Sequence, residues 1–155
     1  MGLAMSVGAI ILGAMKIPPF SIFSAVSELF VTAGVLYVVW VNWNRRRFPG
    51  LLFLGLALFE ALVNVLYMAN RAASASTGSE PMSTAMKIGF AAHGMLSLLA
   101  YIAFVILGAL AFQEQKAERW FFREHAALTA VFVVVWVVSV GSGEVIFALR
   151  YLRPS

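Results

Sequence analysis

Four apolar runs, each closed by charge, turn residues or indole rings, decide what this chain can fold into. They cover about 20–42, 50–70, 88–112 and 126–149, and few ionisable side chains interrupt them. The hydrocarbon core of a bilayer is about 30 Å thick and is crossed by about 20 apolar residues in a helix. Unpaired backbone groups are so costly in lipid that only helices and closed barrels span it. Runs of this length predict an all-α integral membrane protein, built as an antiparallel up-and-down bundle of four transmembrane helices with short connectors. Charged residues make up 12% of the 155, about half the share found in soluble domains. That is too little to coat a water-facing exterior, so residues 1–155 read as a single membrane domain.

The boundaries follow from local chemistry. Gly2 to Met15 is apolar but short for a crossing and lacks the basic start of a secretory signal, which predicts an interfacial or re-entrant lead-in, with a tilted extra span as the other option. Pro18-Pro19 stops any preceding helix and suits the first turn of the next. The first span ends at Trp40 and Trp43, followed by Arg45-Arg46-Arg47, an indole and basic pair typical of the headgroup level. Phe48-Pro49-Gly50 turns the chain back. Arg71 to Lys87 is polar, with Ser74, Ser76, Thr77, Gly78, Ser79, Glu80 and Pro81, and reads as a water-exposed loop. Gln113 to Glu124 is a charged connector read as a helical extension, with Trp120 at the interface, and Arg150, Tyr151 and Arg153 close the fourth span.

Eleven Lys and Arg against seven Asp and Glu leave a net charge of +4. The basic residues cluster beside apolar runs, which points to lipid headgroups rather than nucleic acid. The partners expected are therefore the lipid bilayer and other membrane subunits. Arg45, Arg46, Arg47, Lys116, Arg119 and Arg123 fall on one side of the predicted bundle; Lys16, Arg71, Lys87, Arg150 and Arg153 fall on the other. The denser Arg45 side is expected to be cytoplasmic.

The informative residues are those that a bilayer disfavours. Glu28 falls in span one, Glu60 and Asn64 in span two, His93 in span three and Glu144 in span four. A carboxylate at the membrane centre costs roughly 2.5–3.5 kcal/mol on insertion scales, so such groups turn inward and find partners. At about 1.5 Å per residue, Glu28 lies ~12 Å, Glu60 ~15 Å, Asn64 ~9 Å, His93 ~8 Å and Glu144 ~8 Å from the face opposite Arg45. All five reach the same half of the bilayer. Glu60, Asn64 and Tyr67 follow i, i+4, i+7, while His93, Ser97 and Tyr101 follow i, i+4, i+8, the spacing of helical stripes. Gly141-Ser142-Gly143 beside Glu144 would allow a neighbouring helix or ligand to approach closely.

Three readings of this intramembrane cluster stand side by side. Glu28, Glu60, His93 and Glu144 could bind a divalent metal ion such as iron, manganese or zinc, in the manner of carboxylate sites within bundles. They could instead handle protons or a ligand such as a quinone. The plainest alternative is a hydrogen-bonded polar core that fixes helix register. His125 opens span four near the Arg45 face, as an interface group. Its depth differs from that of His93 by ~20 Å, too far for one haem to take both as ligands, so no haem is expected. No GxSxG, HExxH, Walker or GxGxxG pattern occurs, and the chain reads as non-catalytic.

The order of features in the second half resembles a known family. Ala91-Ala92-His93, then Arg123-Glu124-His125, then Trp136, Ser139, Gly143 and Tyr151-Leu152-Arg153-Pro154 are similar to the small four-helix bacterial membrane proteins of the CtaM-like type. The likeness covers roughly residues 30–154 and is strongest from His125 to Pro154. Members are linked to maturation of haem-copper cytochrome oxidases. The resemblance implies an accessory subunit or assembly factor of a respiratory or other energy-converting complex, in the bacterial inner (cytoplasmic) membrane.

Overall fold

The computed structural model describes residues 19–76 and 84–151. The lead-in expected over Gly2 to Met15, the middle of the polar loop (77–83) and the end of the chain (152–155) lie outside the described residues. Those described form four long helices: α1 (Pro19–Trp43), α2 (Gly50–Ser76), α3 (Thr84–Glu114) and α5 (Ala126–Tyr151). A 3-10 turn over Gln115–Ala117 and the one-turn helix α4 (Phe121–Glu124) join α3 to α5. No strand occurs among them.

Three stretches, Ser21–Trp43, Thr84–Ala117 and Ala126–Leu149, are long and apolar enough to cross a membrane; α2 contributes a shorter apolar stretch, Gly50–Leu66. The exterior is apolar on every long helix: Phe30 of α1 is 75% exposed, Leu51 of α2 90%, Met95 of α3 70% and Val131 of α5 61%. A monomer in water does not display apolar surface on that scale. The chain is an integral membrane protein by the length, composition and surface of its helices.

Two sequence expectations need correction. Residues 71–76 and 84–87, read as loop, are helical, because the alanines at 69, 72, 73 and 75 favour helix strongly enough to carry the serines between them. The 113–124 connector is not a helical extension. It breaks at Glu118, whose φ of 57° is left-handed, and the Glu118 and Arg119 amides donate back to the carbonyls of Gln115 and Glu114.

The same device ends α1. Arg45 is left-handed at φ 56°, its amide donates to Asn42 O, and the Arg46 amide donates to Val41 O. This pair of reversed bonds is a Schellman closure, which satisfies carbonyls that a helix end leaves unpaired. Both C-terminal helix ends on the Arg45 side, of α1 and α3, are sealed in this way. Glu124 then staples the connector: its carboxylate accepts from the Trp120 amide at 2.9 Å and from Arg119 Nε at 3.2 Å. The Trp120 amide above all, with Arg119 in support, holds its carboxyl below the usual carboxylate range.

The long helices pack in a closed ring, α1 against α2 and α5, and α3 against α2 and α5. Neighbours run antiparallel. Gly34 of α1 faces Leu56 of α2 and Gly108 of α3 faces Phe53 of α2. Trp136 Nε1 of α5 donates to Thr32 Oγ1 of α1 at 3.1 Å. The apolar core fills the half of the ring nearest Arg45. Phe104 sits at its centre, edge-on to Phe53 and Trp136 at 5.2 and 5.5 Å between centroids and stacked with Phe132 at 6.4 Å. Val35 and Val38 are fully buried beside it. Asn42 is also fully buried, and its Oδ1 accepts the Phe122 amide at 3.0 Å, a donor that the first turn of α4 cannot satisfy internally.

Gly108 exposes the tightest fit in this half. A Cβ there would collide with the ring of Phe53, which is itself wedged between Phe48 and Phe104. Overpacking of this kind costs typically about 1–3 kcal/mol. Gly108→Ala should lower the thermal midpoint of the detergent-solubilised protein measured by tryptophan fluorescence, whereas Gly94→Ala, at a site with open space around it, should leave it close to wild type.

Candidate functional site

Beyond the aromatic core, at the end of the bundle away from Arg45, the interior turns polar. Here α1, α2, α3 and α5 enclose a cavity of about 120 Å³. Glu28, Glu60, Asn64, His93 and Glu144 all line it, so one side chain or more from each long helix reaches the same space. Such a volume has room for a few water molecules and is smaller than the pockets that enclose drug-sized ligands.

The hydrogen bonds define the wall formed by α3 and α5. Ser142 Oγ donates to Ser139 O at 2.7 Å, which uses its single hydroxyl proton. His93 Nδ1 lies 2.9 Å from Ser142 Oγ and is therefore the donor in that pair, leaving the lone pair of the neutral ring on Nε2. One turn deeper, Ser97 Oγ and Ser139 Oγ are 2.9 Å apart. Small residues make this approach possible. A Cβ added to Gly143 would stand 2.8 Å from His93 Cε1, 3.1 Å from Nε2 and 3.6 Å from Glu28 Oε2, so the missing side chain brings the imidazole and the α1 carboxylate to the same spot. Gly141 meets nothing within 4 Å; the close approach anticipated for that tripeptide belongs to Gly143.

On the α1 and α2 side, Asn64 Nδ2 donates to Glu60 Oε1 at 3.1 Å and to Glu60 O at 2.9 Å. Glu28 stands within electrostatic reach of Glu60 and Glu144. Among the described residues no Lys or Arg lines the cavity. Among the described residues the carboxyl groups meet no fixed cation, so the charge balance available there comes from protons, from the imidazole or from a mobile ion.

Among the described residues no group of three or more His, Cys, Asp or Glu side chains is arranged to hold a metal ion. Glu28, Glu60, His93 and Glu144 share one cavity, each from a different helix, and Glu60 is held to its own helix by Asn64. Tyr101 leaves the predicted α3 stripe: its hydroxyl donates to Ala57 O of α2 at 3.1 Å. The side chain of Tyr67 lies outside the described residues. His125 is exposed at the start of α5, its ring 4.7 Å from that of Phe121.

Sequence reasoning passed over Ser21, Ser24 and Ser27, which line the cavity from α1. The signal was present, since Ser21, Ser24 and Glu28 follow i, i+3, i+7, one helical face. Ser27 Oγ donates back to Ser24 O at 3.0 Å.

No family model, curated protein or solved structure matches the chain. The cavity must be interpreted from its own chemistry.

The hydrogen-bond order makes a specific demand on His93. In ¹⁵N NMR of the His125→Gln protein, which leaves one histidine, the neutral ring should be the Nδ1–H tautomer. Ser142→Ala should shift the population toward Nε2–H; an unchanged tautomer ratio would contradict the assigned relay from Nδ1 through Ser142 to Ser139.

Proposed function

We propose that the chain spans the membrane four times and that its polar cavity is a proton-exchange site, which takes up and releases protons inside the bilayer on behalf of a larger membrane system. One observation carries this reading: carboxyl groups from α1, α2 and α5 and the imidazole of α3 line a single cavity, and among the described residues no Lys or Arg lines it with them. Ionisable groups are expensive in the membrane interior and are retained there chiefly for ion and proton pathways. An imidazole 2.9 Å from a serine hydroxyl, in one water-sized cavity with three carboxyl groups, is suited to passing protons. The cavity volume of about 120 Å³ favours protons and water over a quinone ring.

The fourth crossing is assigned to α2. Its 27 residues reach about 40 Å at 1.5 Å per residue, and the helix packs between α1 and α3. The apolar stretch Gly50–Leu66 is short for a full span, and the antiparallel packing supplies the remaining support. The chain contains no cysteine, so single cysteines report topology without background. Cysteines at Asn44 and Arg119 should be labelled from one side of the membrane and one at Thr84 from the other; labelling of all three from one side rules out the four-span assignment.

The larger system is assigned through the likeness to the CtaM-like membrane proteins: an accessory subunit or assembly factor of a respiratory or other energy-converting complex in the bacterial inner membrane. The bundle fits such a role because its interaction surface is the lipid-embedded exterior. Co-purification with a large membrane complex supports this assignment.

Proton exchange is read directly by infrared difference spectroscopy across a pH step. Wild-type protein in lipid should give protonated-carboxyl bands that Glu28→Gln and Glu60→Gln each diminish. A difference spectrum without carboxyl signal, or a stoichiometric metal lost on Glu60→Ala, contradicts the proposal.

A further inference from the structure

The opposite end of the bundle carries a second recess, independent of the polar cavity. It lies where the α1–α2 turn meets the end of α3 and has a volume of about 1140 Å³. Its walls are apolar: Leu51 and Leu54 rise from α2, and Ala109 and Phe112 from α3. Its mouth is basic, with Arg47 from the turn and Lys116 from the 3-10 turn. Both side chains are exposed, and among the described residues neither has a carboxylate partner; the ion pairs at this end belong to Arg119, with Glu114 and Glu124.

Two features hold the recess open. The Phe48 amide donates to Gln115 Oε1 at 2.8 Å, which ties the turn to the end of α3 and fixes the spacing between Arg47 and Lys116. Gly50, at the start of α2, leaves room for the Phe112 ring, which a Cβ would approach to 3.1 Å. Lys116 Nζ lies 5.5 Å from the centre of that ring, so the ammonium sits directly at the border between charge and hydrocarbon. Trp40, with Arg46 stacked over it at 5.1 Å, and Trp43 mark the same end as the headgroup level.

An apolar slot that opens sideways to lipid, with two unpaired cations at headgroup height, is complementary to one kind of molecule. We infer that this recess is a binding site for an anionic phospholipid, its phosphate held between Arg47 and Lys116 and an acyl chain laid along Leu51, Leu54 and Phe112. Basic pockets between transmembrane helices recognise acidic headgroups through charge, while the apolar wall supplies contact that a free anion cannot use. The site also assigns this end of the bundle to the leaflet richer in acidic lipid.

Native mass spectrometry of the purified full chain tests the site, with phosphatidylglycerol, phosphatidylcholine and inorganic phosphate as probes. Wild type should retain phosphatidylglycerol in preference to phosphatidylcholine, and inorganic phosphate should not displace it. Attraction of this kind weakens about fivefold for each basic residue removed, so Arg47→Ala with Lys116→Ala should abolish the preference. Arg123→Ala, a basic residue at the same end outside the recess, should preserve it. Ala109→Trp, which fills the slot and keeps both charges, should lose phosphatidylglycerol as well. Equal retention of the two lipids, displacement by inorganic phosphate, or the same loss in Arg123→Ala as in the double variant overturns the site.

Discussion

A bilayer offers no water to a stranded polar group, and nearly every feature of this bundle answers to that constraint. Several of the polar side chains between the helices find their partners on a neighbouring element. Ser139 and Ser142 on α5 meet Ser97 and His93 on α3, Thr32 of α1 receives the Trp136 indole, and Asn42 receives the Phe122 amide. The helix ends near Arg45 close on themselves through left-handed Arg45 and Glu118. Each arrangement substitutes a protein partner for the missing solvent.

The interior is consequently divided into two storeys. Near Arg45, aromatic rings around Phe104 and the valines of α1 supply close packing, which is what holds helices together in lipid, where hydrophobic burial alone offers little. Farther along, small residues take over: Gly143 and the serines of α1 and α3 leave space, and carboxyl and imidazole groups line it. The rigid half fixes helix register, and register is what brings Glu28, Glu60, His93 and Glu144 to the same depth. The packed aromatic layer lies between this polar cavity and the Arg45 end of the bundle.

Much of this was legible in the sequence because bilayer residence imposes strong, simple signals. Apolar run length predicted the helices to within a few residues at most ends, and the depth of each ionisable group, counted at a constant rise, predicted the shared level at which the five residues line one cavity. Where the reading failed, longer-range or backbone effects were responsible. The continuation of α2 through Ser74 and Ser76 reflects alanine propensity overriding serine and loop composition. The break at Glu118 is a left-handed turn in a residue type that gives no warning of it. The recess at Arg47 and Lys116 joins residues nearly seventy positions apart through the Phe48–Gln115 bond, a contact with no local signature.

The central claim is that the polar stripes of the helices face one another and not the lipid. Disulfide formation between paired cysteines in native membranes tests it most directly, since the chain has no cysteine of its own and a disulfide requires Cα atoms within about 7 Å. Ser97→Cys with Ser139→Cys, whose hydroxyls are 2.9 Å apart, should oxidise readily, while Leu98→Cys with Val138→Cys, both on the exposed exterior, should remain reduced. Cross-linking of the exterior pair, with the Ser97 and Ser139 positions unreactive, would place the stripe against lipid and contradict the account.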